Sequence, residues 1–196
     1  MGKLIVAEQL SLDGVMQAPG SPDEDRSGGF GQGGWYAPYF DDVGMGIAAD
    51  GIADTGAYLF GRRTYEIMAS HWPNVPEGDP FADTLNDLPK YVASTTLDDP
   101  SAWRNSALLE GDVPTAVADL KRAEAKNIVV LGSGQLVRAL LDHDLVDEVT
   151  LMIAPLVLGG GKRLFEGGGP TIPLRLVDVR TTGTGVIVAA YRRDAR

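Results

Sequence analysis

The sequence predicts an α/β domain in which a mainly parallel central sheet ends in a C-terminal antiparallel hairpin. Three observations lead there. Short apolar runs alternate with helical stretches up to residue 154, the order of βα units around a parallel sheet. Residues 174–182 and 185–192 then alternate apolar and polar around Thr182-Gly183-Thr184-Gly185, the pattern of a hairpin. Between them, Ile128-Val129-Val130-Leu131 is the continuous apolar run of a strand covered on both faces.

Taken in order, residues 4–7 read as a buried strand, which the turn chemistry of Ser11-Leu12-Asp13-Gly14 breaks. Residues 19–38 form a long loop with glycine at 28, 29, 31, 33 and 34. Loops of that length inside compact domains often carry function, although a mobile surface excursion explains one equally well. Phe40, Val43 and Ile47 fall at helical spacing, predicting a glycine-weakened helix to about residue 53. A strand at 57–60 leads through Gly61-Arg62-Arg63-Thr64 into a brief helix ending at Met68, and residues 73–89 read as irregular loop.

Strands follow at 91–94 and 107–109. Asp112 caps a helix with Pro114 in its first turn; Val117, Leu120 and Ala123 form its apolar face and Asn127 closes it. After the 128–131 strand, Leu136, Val137, Leu140 and Leu141 return to helical spacing, and 148–154 is a further strand. With no internal repeat, low-complexity tract or linker, residues 1–196 are expected to form one domain.

Composition narrows the function. A net charge of −10 argues against a nucleic-acid binder or an anionic-membrane binder, because phosphate contacts need a basic surface. A small anionic ligand needs only backbone donors and one or two arginines. The chain has no cysteine and two histidines, which removes thiolate chemistry and makes a metal centre improbable. The N-terminus reaches Glu8 too early for a signal peptide, and no apolar run approaches the ~20 residues of a membrane span. A cytoplasmic protein with a small-molecule substrate is the expectation.

The strongest local signal runs from Val129 to Leu136, where a buried strand ends, Gly132-Ser133-Gly134 turns the chain and an amphipathic helix begins at Gln135. Glycines let phosphate approach backbone N–H groups, and a helix start adds unpaired donors and partial positive charge. Tight βα connections also favour glycine for purely structural reasons. The dinucleotide fingerprint of Rossmann folds fails in detail: its third glycine would fall at Val137, and the acid expected ~20 residues on meets Met152 to Ala154.

Gly61-Arg62-Arg63-Thr64 repeats the theme with two adjacent arginines, which suit phosphate oxygens as well as solvent. Ser94-Thr95-Thr96 ends another strand with hydroxyls that fit a ribose, a 2′-phosphate or a simple turn. Each of the three segments follows a predicted parallel strand, and open α/β sheets bind ligands at those carboxyl ends.

These residues together resemble the dihydrofolate-reductase-like superfamily, through Ser11-Leu12-Asp13-Gly14, Leu59-Phe60-Gly61-Arg62-Arg63-Thr64-Tyr65-Glu66 and Gly132-Ser133-Gly134-Gln135-Leu136-Val137. The stretches 145–149 and 154–165, with Gly159-Gly160-Gly161-Lys162-Arg163, are similar to the reductase domain of bacterial riboflavin biosynthesis and its stand-alone relatives. The resemblance covers nearly the whole chain. It implies a three-layer dihydrofolate-reductase-like fold and NADPH-dependent hydride transfer, like that of 5-amino-6-(5-phosphoribosylamino)uracil reductase.

By that resemblance, Gly61 to Thr64 and Gly132, Ser133, Gly134, Gln135 and Leu136 hold the pyrophosphate region. Ser94, Thr95 and Thr96, with Arg62 or Arg63, surround the 2′-phosphate. Ala7 and Leu131 flank the nicotinamide, and Asp13 faces the substrate for orientation or proton supply. Folate reductases place an acid on the first long helix; here Asp41, Asp42 and Asp50 offer no matching motif. Lys162 and Arg163 are candidates for a substrate phosphate, and the loop carrying Trp35 and Tyr36 for a lid.

Two rival readings share parts of this site: a nucleotide-binding protein of the same fold without turnover, and a domain whose glycine turn holds some other phosphate. The terminal hairpin is a sheet edge in need of cover, so a homodimer is expected.

Overall fold

The computed structural model describes residues 2–166 and 171–193. Eight strands form one sheet: β1 (Leu4–Ser11), β2 (Thr55–Gly61), β3 (Lys90–Ala93), β4 (Ser106–Leu108), β5 (Asn127–Leu131), β6 (Glu148–Ala154), β7 (Leu174–Thr181) and β8 (Ile187–Arg193). Their order is β4-β3-β2-β5-β1-β6-β8-β7. The first six run parallel, whereas β8 pairs antiparallel with β6 and with β7. This is the predicted α/β architecture, with the hairpin at one edge. Among the described residues no helix is long and apolar enough to cross a membrane.

Five α-helices connect the strands: α1 (Asp42–Ile52), α2 (Arg62–His71), α3 (Pro80–Asp87), α4 (Val113–Ala123) and α5 (Gly134–Asp142). On one face of the sheet, Leu4, Val6, Leu10, Ile128, Val130, Val149 and Leu151 meet Val117 and Leu120 of α4 and Leu136, Val137, Leu140 and Leu141 of α5. Truncating a fully buried leucine such as Leu140 to alanine costs about 2–5 kcal/mol in a core of this kind.

The opposite face carries two separate clusters. Tyr58, Phe60 and Val92 pack with Tyr65 of α2, Leu85 of α3 and Trp103. Ala154 and Val188 pack with Val15, Phe30, Trp35, Tyr36 and Ile47 of α1. On this face the central residues Ile5, Ala7, Gln9, Leu131, Thr150 and Met152 are only half-buried. Helix α1 buries no residue completely and exposes Val43 and Met45, so it covers the sheet thinly.

Several boundaries differ from the sequence reading. Strand β1 continues past Ala7 to Ser11, because Glu8–Ser11 pair with Leu151–Ala154 of β6. The 73–89 segment contains α3, whose Asp79 caps Phe81 and Ala82 with Pro80 at the first helical position. Helix α4 ends at Ala123, so Asn127 opens β5 and does not close the helix. Trp35 and Tyr36 are buried in the second cluster, and Trp35 Nε1 donates to the Gln17 carbonyl at 2.7 Å. Trp35 and Tyr36 are core packing here, so the two rings expected to cover the site face the second cluster instead.

Candidate active site at the carboxyl ends of β1, β2 and β5

The ladder between β1 and β5 ends at Ala7–Leu131, while β1 runs on beside β6 to Ser11. Past Leu131 the chain leaves the sheet through Gly132 (φ 61°) and Ser133 (φ 65°) into α5. Two consecutive left-handed residues make the turn tight, and glycine adopts that conformation without the penalty of a Cβ. A Cβ on Gly132 would lie 3.0 Å from Thr64 Cγ2, and one on Gly134 would lie 2.6 Å from Met16 Sδ. The turn is thus pressed between α2 and the start of the Gly-rich loop.

This geometry brings together the predicted segments. The Gly61 N–H donates to Ser133 Oγ at 2.9 Å, joining the β2–α2 turn to the β5–α5 turn. Arg62 Nη1 donates to Thr96 Oγ1 at 2.6 Å, joining the β2–α2 turn to the end of β3. Ser94 Oγ accepts from the Thr96 and Leu97 N–H groups, which shapes that third turn. Three segments separated by 30 or more residues in sequence therefore form one surface.

The helix ends on that surface differ from the others. Helices α1, α3 and α4 are each capped by an aspartate, at Asp41, Asp79 and Asp112. Helices α2 and α5 have no side-chain cap, so among the described residues the first-turn N–H groups of both lack a side-chain acceptor. Unpaired first-turn donors and the helix dipole favour an anion at each. The acceptor that a carboxylate supplies elsewhere is missing where two helix starts meet.

The individual predicted residues divide by availability. Arg62 is tied to Glu66 Oε1 at 2.7 Å as well as to Thr96, whereas Arg63 is exposed and makes no ion pair among the described residues. Thr95 is exposed, and its hydroxyl makes no hydrogen bond among the described residues. Gln135 is exposed at the first turn of α5, and Leu136 is buried, so Leu136 offers only its backbone N–H. Ala7 and Leu131 lie side by side on the half-open face, at the rim of the Tyr58–Trp103 cluster.

Asp13 is a fastening group. Its carboxylate accepts from Ser11 Oγ at 2.7 Å, from the Leu158 and Gly159 N–H groups at 3.0 Å each, and from Arg163 Nη2 at 3.1 Å. Those donors, the Ser11 hydroxyl foremost, hold it well below the usual carboxylate range. It has no proton to give near neutral pH, which corrects the expectation of proton supply. Arg163 is occupied by Asp13, and Lys162 Nζ by Asp25 and Ser27 at 2.6 Å each. Neither cation stands free for a substrate phosphate.

The sequence reading stopped β1 at Ala7 and so missed Glu8 and Gln9 as residues of this strand end. Gln9 is half-buried on the open face, and its amide makes no hydrogen bond among the described residues. No periodicity marks them, because a polar pair interrupts the apolar run.

Comparison with known proteins agrees with this architecture. The model of the RibD C-terminal domain family matches residues 2–188. The uncharacterized protein YyaP of Bacillus subtilis is 30% identical over 156 residues, covering 76% of this chain and 80% of that protein. Among solved structures, a Shewanella sp. PV-4 protein named for riboflavin biosynthesis superposes with a TM-score of 0.72 at 22% identity, covering 98% of this chain and 99% of the other. A pyrimidine reductase-like protein of Corynebacterium diphtheriae follows with a TM-score of 0.68 at 15% identity, covering 100% and 93%. The chain belongs to the RibD C-terminal domain family, and that membership supports a reductase-type function.

Proposed function

We propose that this RibD C-terminal domain family member is an NADPH-dependent reductase acting on a small heterocyclic or pentose-type substrate. The observation that carries the reading is the meeting of two uncapped helix starts, α2 and α5, joined by the Gly61–Ser133 hydrogen bond. A pyrophosphate supplies the acceptors those N–H groups lack. The residues fit the cofactor: the first turns of α2 and α5 have no side-chain cap, and Arg63, Thr95 and Thr96 are exposed beside them with the charge and hydroxyls a further phosphate needs.

In this reading Gly61–Thr64 and Gly132–Leu136 bind the pyrophosphate, and Arg63 is the 2′-phosphate ligand because Arg62 is already paired. Arg62 holds the Ser94–Thr96 turn in place. When bound, NADPH supplies hydride to an electrophilic carbon of the substrate. The half-open face over Ala7 and Leu131 excludes water on both flanks through its two apolar clusters and orients the acceptor. Asp13 anchors the strand end against the 158–159 turn.

The names of the solved relatives, a riboflavin biosynthesis protein and a pyrimidine reductase-like protein, agree with a heterocyclic substrate. Edge strand β7 exposes Leu174, Leu176 and Val179, and we propose that a second copy covers it in a homodimer.

The test is a fluorescence titration with NADPH and NADH. Wild type saturates with NADPH at micromolar concentration and prefers it over NADH. Arg63→Ala loses about tenfold in NADPH affinity, one charge-assisted contact, and leaves NADH unchanged. Equal affinities in wild type, or no saturation at millimolar NADPH, would overturn the assignment.

A further inference from the structure

Strand β1 is interior to the sheet, and interior parallel strands are ordinarily covered on both faces. Val6 and Leu10 pack into the α4–α5 core, so Ala7 and Gln9 lie on the opposite face, where both are only half-buried. Register puts Thr150 beside Ala7 and Met152 beside Gln9. Ala190 of β8 pairs with Thr150 on its other side, so small side chains flank the threonine on both neighbouring strands.

Gln9 and Thr150 are the polar residues of this floor, whose other members are Ile5, Ala7, Leu131 and Met152. Neither side chain makes a hydrogen bond among the described residues. The sealed polar atoms without partners there belong to Glu8, Thr55, Tyr58 and Ser106, so the Gln9 amide and the Thr150 hydroxyl are unpartnered yet open to solvent. Glu148 lies on the same face toward the amino end of β6, level with Ile5, and is paired with Arg192. The floor itself carries no charge. Gln9 stands two residues beyond Ala7, about 6–7 Å further along the strand. That is past the last β1–β5 pair, on the side where ligands meet open α/β sheets.

We infer that Gln9 is a specificity-determining residue that orients the hydride acceptor, by pairing with a neutral edge where a ring N–H adjoins a C=O; this rests on the NADPH reading above, with the nicotinamide over Ala7 and Leu131. A primary amide offers an N–H donor and a C=O acceptor side by side, the complement of such a lactam edge. An anionic group meets no cation on this floor, and an unpaired charge is costly once water leaves. A ring turned the wrong way leaves the amide unpaired in the same dry space, which is how one polar group rejects a misplaced substrate. Thr150 offers a further hydroxyl at the level of Ala7. The contact makes and breaks no bond; it fixes which ring atom faces the hydride donor.

Nitrogen-15 spectra of NADP-saturated protein test this, because they resolve the Gln9 side-chain NH2 pair, assigned by its loss in Gln9→Met. The probes are 2-pyridone, a flat ring with that edge, and N-methyl-2-pyridone, which lacks the N–H. 2-Pyridone should shift the Gln9 pair saturably and bind about tenfold more tightly than its methyl derivative, the worth of one hydrogen bond. Gln9→Met should abolish that discrimination, keep the affinity for NADP and melt no lower than wild type, since no internal hydrogen bond is lost. A purely structural glutamine would lower the melting temperature and leave the discrimination in place. Gln9→Glu, which only accepts, should bind 2-pyridone more weakly than wild type and stands in should Gln9→Met not fold. The inference is overturned if wild type binds both rings equally, if 2-pyridone saturates without moving the Gln9 pair, or if it does not bind at its solubility limit. NADP that fails to move the first-turn N–H groups of α2 and α5 counts against the NADPH reading itself; a Gln9 shift on adding 2-pyridone to the free protein would still support the lactam contact.

Discussion

Helices α3 and α4 begin with an aspartate whose carboxylate closes the first turn, while α2 and α5 begin with Gly61 and Ser133 and close nothing. Both arrangements occur in one small domain, so the difference is not a matter of composition. A side-chain cap is worth about 0.5–2 kcal/mol, and the chain forgoes it at the two helix starts that face each other. The contrast separates two uses of the same backbone chemistry. Where only the fold matters, the orphan N–H groups are satisfied internally; at the strand ends they are left for a ligand.

The sharpest way to break the contrast is to cap α5. Ser133→Asp keeps an acceptor for the Gly61 N–H, and aspartate tolerates the left-handed conformation there better than most residues. It also brings a negative charge to the anion site. The variant should fold, melt at or above the wild-type temperature, and bind NADPH at least about a hundredfold more weakly, since a charge mismatch costs several kcal/mol. Unchanged affinity would remove the helix pair from the cofactor site.

A smaller effect is expected where a carboxylate fastens the fold. Asp13→Asn replaces an acceptor of four donors and should cost about 1–3 kcal/mol near neutral pH. The folded protein depresses the pKa of Asp13, so its contribution is present above the ordinary value of 3.8 and lost as pH falls below it. Wild type and variant should therefore converge in stability on acidification, as urea unfolding at several pH values would show. If Asp13 only anchors, the pH–rate profile of the variant keeps its shape; loss of an ionisation from that profile would restore Asp13 as an acid or base.

The smallest effect is at the capped ends. Asp79→Ala and Asp112→Ala should each cost about 1 kcal/mol and lower the melting temperature without moving cofactor affinity. A change in affinity would mean that the two classes of helix end are not independent.

Much of this was legible in the sequence, and the rest was hidden for identifiable reasons. Ile128–Leu131 falls within β5 and the C-terminal hairpin forms as β7 and β8, although its second strand begins only at Ile187 and its register shifts between Leu176 and Asp178. Helix α3 was obscured by Pro73, Pro76, Gly78 and Pro89 around it, although Asp79-Pro80 is a capping signal. Tertiary contacts hold it: buried Lys90 Nζ donates to the carbonyls of Leu85, Asn86 and Leu88, closing the far end. Strand β1 outran its apolar run because β6 pairs with it for seven residues regardless of side chain. Asp13 stood out as part of a motif, but its role lies in N–H groups about 145 residues away, which no local pattern reveals.

Availability was equally invisible. Arg62 and Arg63 are indistinguishable in sequence, yet one is bound to Glu66 and Thr96 and the other makes no ion pair among the described residues. The missing caps of α2 and α5 likewise emerge only beside the three capped helices.

Amide chemical shifts recorded while NADPH is titrated into uniformly labelled wild-type protein test the central claim most directly. The account predicts saturable shifts in the N–H groups of Arg62, Arg63 and Thr64 and of Gly134, Gln135 and Leu136, while Phe81, Ala82 and Thr115 at the capped ends stay still. Saturable binding that leaves the α2 and α5 starts unmoved, or no binding at millimolar NADPH, would contradict it.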